Sequence, residues 1–160
     1  MQVSVRPGTR ADIPTIVEFN AALAKESESL ELDTSRLESG VSRLLADPSR
    51  GVYYMAEHEG RVVGQVMLTY EWSDWRDGLF WWIQSVYVRP GNRRQGVFAA
   101  LFNHIKRAAH ENPDVCGLRL YVEEHNKHAQ QTYKALGLDL GGYRVMQHDW
   151  QAPATIGDDA

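Results

Sequence analysis

Val86-Tyr87-Val88-Arg89-Pro90-Gly91-Asn92-Arg93-Arg94-Gln95-Gly96-Val97 begins inside an apolar strand pattern and ends where apolar residues start to recur at helical spacing. The strand pattern covers residues 79–88, and Pro90, Gly91 and Asn92 end it, because proline cannot donate to a ladder and glycine weakens one. Val97, Phe98, Leu101, Phe102, Ile105 and Ala109 then share one face of a helix of about four turns. The stretch therefore reads as a strand, a basic loop and a helix. That geometry suits a diphosphate. Unpaired N–H groups at a helix N-terminus, reinforced by the positive end of the helix dipole, bind phosphate oxygens, and glycine lets the backbone come close. Arg89, Arg93 and Arg94 add mobile positive charge. Neither G-x-x-x-x-G-K-[ST] nor G-x-G-x-x-G occurs in the chain, which sets aside the common nucleotide loops. A solvated basic turn that merely caps a helix accounts for the same residues without a ligand.

On the N-terminal side, residues 3–6 form a short strand pattern. Thr9-Arg10-Ala11-Asp12 has the make-up of a capping box ahead of Ile13, Ile16, Val17 and Asn20 at helical spacing. A second helix starts near Asp33 or Thr34, buries Leu37, Val41, Leu44 and Leu45, and stops before Pro48. Residues 52–57 and 62–70 are rich in β-branched and aromatic side chains and are separated by Glu59-Gly60, a hairpin signal; Asp77-Gly78 marks the next turn. On the C-terminal side, residues 117–123 place Leu118, Leu120 and Val122 on one strand face. Asn126 opens a further helix, Gly137 lies just past its end, and residues 143–150 read as a last strand. The order β-α-α-β-β-β-α-β-α-β predicts an α/β fold, a mixed sheet covered by helices, with antiparallel hairpins early and crossover units late.

Arg93-Arg94-Gln95-Gly96-Val97-Phe98 resembles the acetyl-CoA loop of the GNAT family of N-acetyltransferases, whose pattern is Gln or Arg, two residues, Gly, one residue, then Gly or Ala. It matches at Arg93 and Gly96 and departs at Phe98. Glu123-Glu124-His125-Asn126-Lys127-His128-Ala129-Gln130-Gln131-Thr132-Tyr133-Lys134-Ala135-Leu136-Gly137-Leu138 resembles the same family's Asn-x-x-Ala-x-x-x-Tyr-x-x-x-Gly-Phe helix and departs at Leu138 alone. The resemblance covers nearly the whole chain in element order, and residue by residue from about Val86 to Leu138.

What the resemblance implies is a three-layer α/β sandwich with a mixed, mostly antiparallel sheet of about six or seven strands and helices on both faces, splayed where acetyl-CoA inserts. It implies backbone contacts to the pantetheine arm from Val86 and Val88, and diphosphate contacts from Arg93, Arg94, Gln95, Gly96 and Val97. It further implies a coenzyme A contact from Asn126 and a place near the sulfur for the Tyr133 hydroxyl, which would protonate the departing thiolate. Without the resemblance, Asn126 is an N-cap and Tyr133 a core ring.

The acceptor side is read from Tyr70-Glu71-Trp72-Ser73-Asp74-Trp75-Arg76-Asp77 and Trp81-Trp82, which hold four of the five tryptophans. Near the donor, these rings with Glu71 or Asp74 suit a cationic or aromatic amine. Packing on the sheet, or a subunit contact in a homodimer, accounts for them equally. Glu26 and Glu28, at the end of the first helix, are also within reach of an acceptor groove. Many family members carry an acid on the strand before the loop; here Gln84 and Ser85 stand there. Glu71, or a water chain held by Gln84 and Ser85, is left to take the amine's proton. His125 and His128 bring no third ligand, so no metal is expected. Cys116 reads as a small buried residue, with no histidine placed by sequence to activate it.

A formal net charge of −4 supplies no global field for nucleic acid or an anionic membrane, and neither is expected as a partner. The first residues lack the apolar core of a signal peptide, no apolar run approaches the ~20 residues that span a bilayer, and a single cysteine fits a reducing compartment. A cytoplasmic protein is expected, with one domain over residues 1–152 and a small, polar, acidic tail at 153–160. The expected activity is direct transfer of an acetyl group from acetyl-CoA, as cosubstrate, to a primary amine on a small molecule or peptide. The alternative is a regulatory module that keeps the acyl-CoA pocket without turnover.

Overall fold

In the computed structural model, which describes residues 1–151, Glu59 and Gly60 take φ of 50° and 74° and close a hairpin between strands β2 (Val52–His58) and β3 (Arg61–Ser73). Left-handed backbone at both positions gives the turn whose twist matches the strands it joins. The expected tail, residues 153–160, lies outside the described residues. Asp77, at φ 48°, turns the chain into β4 (Gly78–Val88), and β1 (Ser4–Pro7) pairs with the outer edge of β2. These four strands are antiparallel. β5 (Val115–Leu120) reaches the sheet through helix α3 (Val97–Glu111) and runs parallel to β4, since only a crossover can join parallel neighbours.

The order is β1-β2-β3-β4-β5, five strands among the described residues where about six or seven were expected. Helices α1 (Ile13–Glu28) and α2 (Thr34–Leu45) cover one face, where Ile16 and Val41 pack with Tyr53 and Met55. On the other face, Val97, Leu101, Phe102 and Ile105 of α3 pack against Val66, Leu68, Trp81 and Ile83. This is the expected three-layer sandwich, completed by α4 (Lys127–Ala135). No helix among the described residues is long and apolar enough to cross a membrane.

The caps follow the sequence. The Thr9 N–H donates to Asp12 Oδ2 at 2.7 Å, and Arg6 clamps the same carboxylate through Nη1 and Nη2 at 2.8 and 2.9 Å. The Arg6 guanidinium, more than burial, decides the Asp12 ionisation and holds its carboxyl below the usual range. Asn126 Oδ1 accepts from the Ala129 N–H at 3.0 Å, and Gly137, at φ 93°, ends α4.

Three expectations are corrected. Residues 143–150 alternate like a strand but form none, because alternation specifies faces and not a partner, and among the described residues no strand lies beside them. β5 stops at Leu120 rather than residue 123, because its pairing with β4 ends at Ile83–Leu120. Cys116 is exposed, on the outermost strand.

Candidate functional site

Beyond the Ile83–Leu120 pair the parallel strands part, so residues 84–88 have β3 on one side and no strand on the other among the described residues. Such an edge offers unpaired N–H and C=O groups to an extended ligand. Gln65 pairs with Tyr87 and Met67 with Gln84, so Ser85 and Val86 together face Val66. This is a β-bulge, with Ser85 at φ 50°. A bulge interrupts the ladder and turns successive side chains out of strict alternation.

Two cavities meet at that bulge. One, of about 420 Å³, is lined by Val86 and Val88 of β4, by Arg93, Arg94 and Gly96 of the loop, and by Val97 at the start of α3; Phe98 and, from α4, His128 and Thr132 complete its wall. The start of α3 packs on Gly64. A Cβ there would stand 2.8 Å from Val97 Cγ1 and 3.1 Å from the Tyr87 carbonyl oxygen, so only glycine lets α3 begin this close to β3. Arg94 and Gly96 take φ of 61° and 84°. The backbone N–H groups of Gly96, Val97, Phe98 and Ala99 find no acceptor among the described residues.

The arginines divide the work. Arg89 pairs with Glu18 at 2.8 Å and lies over the Phe19 ring; Arg93 pairs with Glu26 at 2.7 Å and lies over Tyr87. Both tie the loop to α1. Arg94 makes no ion pair among the described residues and lines the cavity. Gln95 does not line the cavity; its amide donates to the Gly91 carbonyl at 3.0 Å and holds the loop in shape. Asn126 caps α4 outside the lining. Tyr133 lies one ring behind the wall, edge-on to Phe98 with centroids 6.0 Å apart, and burial pushes its phenol above the ordinary value.

The second cavity, of about 570 Å³, lies between α1, α2 and the sheet. Leu30, Leu32, Leu37 and Leu44 make its walls apolar, Glu28, Asp33 and Arg36 bring charge, and Asn20, Tyr53 and Ser85 form its polar end. There Asn20 Nδ2 donates to the Tyr53 hydroxyl at 3.0 Å, and Gln65 Nε2 donates to Asn20 Oδ1 at 3.0 Å and to the Ser85 carbonyl at 3.1 Å. Gln65 is 0% exposed, and its Oε1 has no partner among the described residues. An unpaired buried acceptor costs about 1–3 kcal/mol. Ser85 lines this cavity, Val86 lines the other, and Leu23 lines both.

Glu71 lies outside both linings, engaged by Arg119 of β5. The tryptophans separate: Trp81 is core, Trp82 stacks on Tyr121 with centroids 4.5 Å apart, Trp72 and Trp75 are exposed, and none lines a cavity. The polar residues Asn20, Gln65 and Tyr53 were not singled out from the sequence. Gln65 inside Val62-Val63-Gly64-Gln65-Val66-Met67-Leu68 was the available signal, since a polar residue in an apolar strand must find partners. Among the described residues no three of His, Cys, Asp and Glu converge on a metal-sized site.

The family model described as acetyltransferase (GNAT) family matches residues 18–138. Among solved structures, that of a possible acetyltransferase from Clostridium difficile 630 is 43% identical, covers 93% of this chain and 98% of its own, and superposes with a TM-score of 0.88. A Clostridium acetobutylicum protein solved with acetyl-CoA, described as a predicted acetyltransferase, is 16% identical over 92% of this chain and 96% of its own, with a TM-score of 0.74. A transcriptional regulator from Bacillus halodurans C-125 is 17% identical over 92% of this chain and all of its own (100%), with a TM-score of 0.76. The last two likenesses show the fold alone. No curated protein matches the chain.

Proposed function

The chain belongs to the acetyltransferase (GNAT) family, and from that premise we propose that it transfers the acetyl group of acetyl-CoA directly to a primary amine. The observation that carries this reading is the meeting of two cavities at consecutive residues, Ser85 facing one and Val86 the other. A donor held along Val86 and Val88 and an amine held against Ser85 come together at consecutive residues of one strand.

The donor side fits its ligand on local grounds. Unpaired N–H groups at the start of α3, with Arg94 beside them, suit a diphosphate. The free edge of β4 suits an amide-bearing arm. Acetyl-CoA supplies an activated carbonyl, and the chain's part is to hold it, exclude water and manage protons. On the acceptor side, Glu28 draws a protonated amine into the cavity and takes its proton, so that the neutral nitrogen attacks. Glu71, held by Arg119 outside the cavity, is given no proton transfer in this reading. Tyr133, behind Phe98 at the cavity wall, is assigned the proton that goes to the leaving sulfur. Its phenol, raised by burial, keeps its proton at neutral pH. No nucleophile of the chain is needed.

Glu28→Gln tests the assignment of sides. The variant should raise the acceptor KM or lower turnover by about tenfold or more, the effect of losing a positioned base, with acetyl-CoA affinity within about twofold of the parent. A change confined to donor affinity would contradict the assignment of sides. Donor binding without amine-dependent thiol release by the parent would favour the regulatory module instead.

A further inference from the structure

We infer that the amine acceptor carries one positive charge on a bulky, otherwise uncharged apolar body, a cycloalkyl or branched alkyl group, seated between α1 and α2. The inference rests on the transfer reading above and adds to it the chemical class of the acceptor. What carries it is where the larger cavity keeps its charges.

α1 turns Asn20, Leu23, Ala24 and Glu28 to that cavity, a spacing of three and four that makes one helix face. Along this face the chemistry changes. Asn20, 8% exposed, belongs to the neutral network with Tyr53, Gln65 and the Ser85 carbonyl. Glu28 lies eight residues on, about 12 Å along the helix. Asp33 and Arg36 open α2 soon after Glu28 ends α1, so the charged lining residues gather away from Ser85. Between the two ends the walls are Leu23, Leu37 and Met67, the last two packed against Val41 and Tyr53.

This layout has room for one ammonium. Asp33 Oδ1 already accepts from the Arg36 N–H at 3.3 Å, as the cap of α2, and the Arg36 guanidinium repels a further cation. Glu28 makes no ion pair among the described residues. A second ammonium on the ligand would lie against leucines without a carboxylate, which is costly. At the far end Tyr53, its phenol pushed up by burial, keeps its proton. A nitrogen beside Ser85 thus meets neutral groups, as suits an amine that has left its proton at Glu28.

The volume, about 570 Å³, suits a ring-sized body rather than a two-carbon amine. Gly40 of α2 also lines it, and a Cβ there would meet nothing within 4 Å, so the wall is open on that side.

Steady-state kcat/KM, read by thiol release from acetyl-CoA with alkyl amines of matched basicity, tests this. From ethylamine to pentylamine it should rise about three- to fourfold per methylene, the yield of burying each one. Cyclohexylmethylamine should do at least as well as pentylamine. 1,4-Diaminobutane, in which an ammonium replaces the terminal methyl of pentylamine, should fall at least ~10-fold below it. Turnover with a flat profile, or with ethylamine or the diamine preferred, overturns the inference and leaves acetyl transfer standing; no turnover with any amine overturns both. Two variants then locate the body. Gly40→Leu should lower the ratio of cyclohexylmethylamine to ethylamine by about tenfold, through lost space. Ala24→Glu, which adds a carboxylate to the apolar wall, should raise the diamine against pentylamine by about as much. Leucine and glutamate are both good helix formers, so circular dichroism should be unchanged. Either ratio left unmoved places the body outside this cavity and overturns the inference.

Discussion

Gly96 sits at φ 84° with open space around the position of a Cβ, so a side chain there meets backbone strain rather than collision. A β-branched residue resists left-handed backbone, costing roughly 1–2 kcal/mol, and the loop relaxes by turning its N–H groups away from the cavity. Gly96→Val should therefore weaken acetyl-CoA binding by about tenfold or more in a folded protein, read by calorimetry. Gly96→Asn, which tolerates left-handed backbone, should keep most of the affinity. Equal binding by all three proteins would remove the loop's N–H groups from the donor site. Tyr133 calls for a kinetic test, because its proposed proton matters to bond cleavage and little to binding. Tyr133→Phe should slow the chemical step by at least ~10-fold in single-turnover measurements. Because burial raises the phenol, any alkaline loss of rate through Tyr133 should lie above about pH 10. A chemical step within about threefold of the parent would leave Tyr133 as a packing ring against Phe98.

At the scale of elements, the Arg6–Asp12–Thr9 cluster fastens β1 to the start of α1, and with it one wall of the acceptor cavity. Asp12 has a depressed carboxyl, so the cluster's stabilisation is complete above the unfolded value near pH 4 and is lost as pH falls through the folded value. Asp12→Asn should cost about 1.5–3 kcal/mol at pH 7, from hydrogen bonds to a charged partner. Urea unfolding at several pH values should show the gap between parent and variant narrowing below pH 4; a gap independent of pH would deny the ionised cluster its role. This cap was legible because Thr9 and Asp12 stand three apart ahead of an apolar periodicity. The hairpin at Glu59-Gly60 and the α3 face were legible for the same reason, as local chemistry at fixed spacing. Residues 143–150 were not, because alternation states which way side chains point and is silent on which edge they join.

At the scale of the molecule, most of the smaller cavity's lining, proposed for the donor, was readable because its parts are consecutive: a strand end, a glycine loop and a helix start occupy residues 86–97. The polar end of the larger cavity, proposed for the acceptor, was hidden because Asn20, Tyr53, Gln65 and Ser85 come from four elements and meet only when α1 folds over the bulge. Glu71, Trp72 and Trp75 stood close to β4 in sequence, yet the hairpin carries them to the far end of the sheet, and Trp81 and Trp82, on β4 itself, line neither cavity. The account's central claim is transfer between two cavities joined at Ser85 and Val86, and product analysis tests it most directly. The full chain would be incubated with acetyl-CoA and a panel of primary amines, with free thiol and acetylated amine measured together by mass spectrometry. The account predicts that at least one amine yields both in equal amounts, at a rate that saturates in each substrate. Acetyl-CoA that binds but releases thiol no faster with any amine than without one would contradict it.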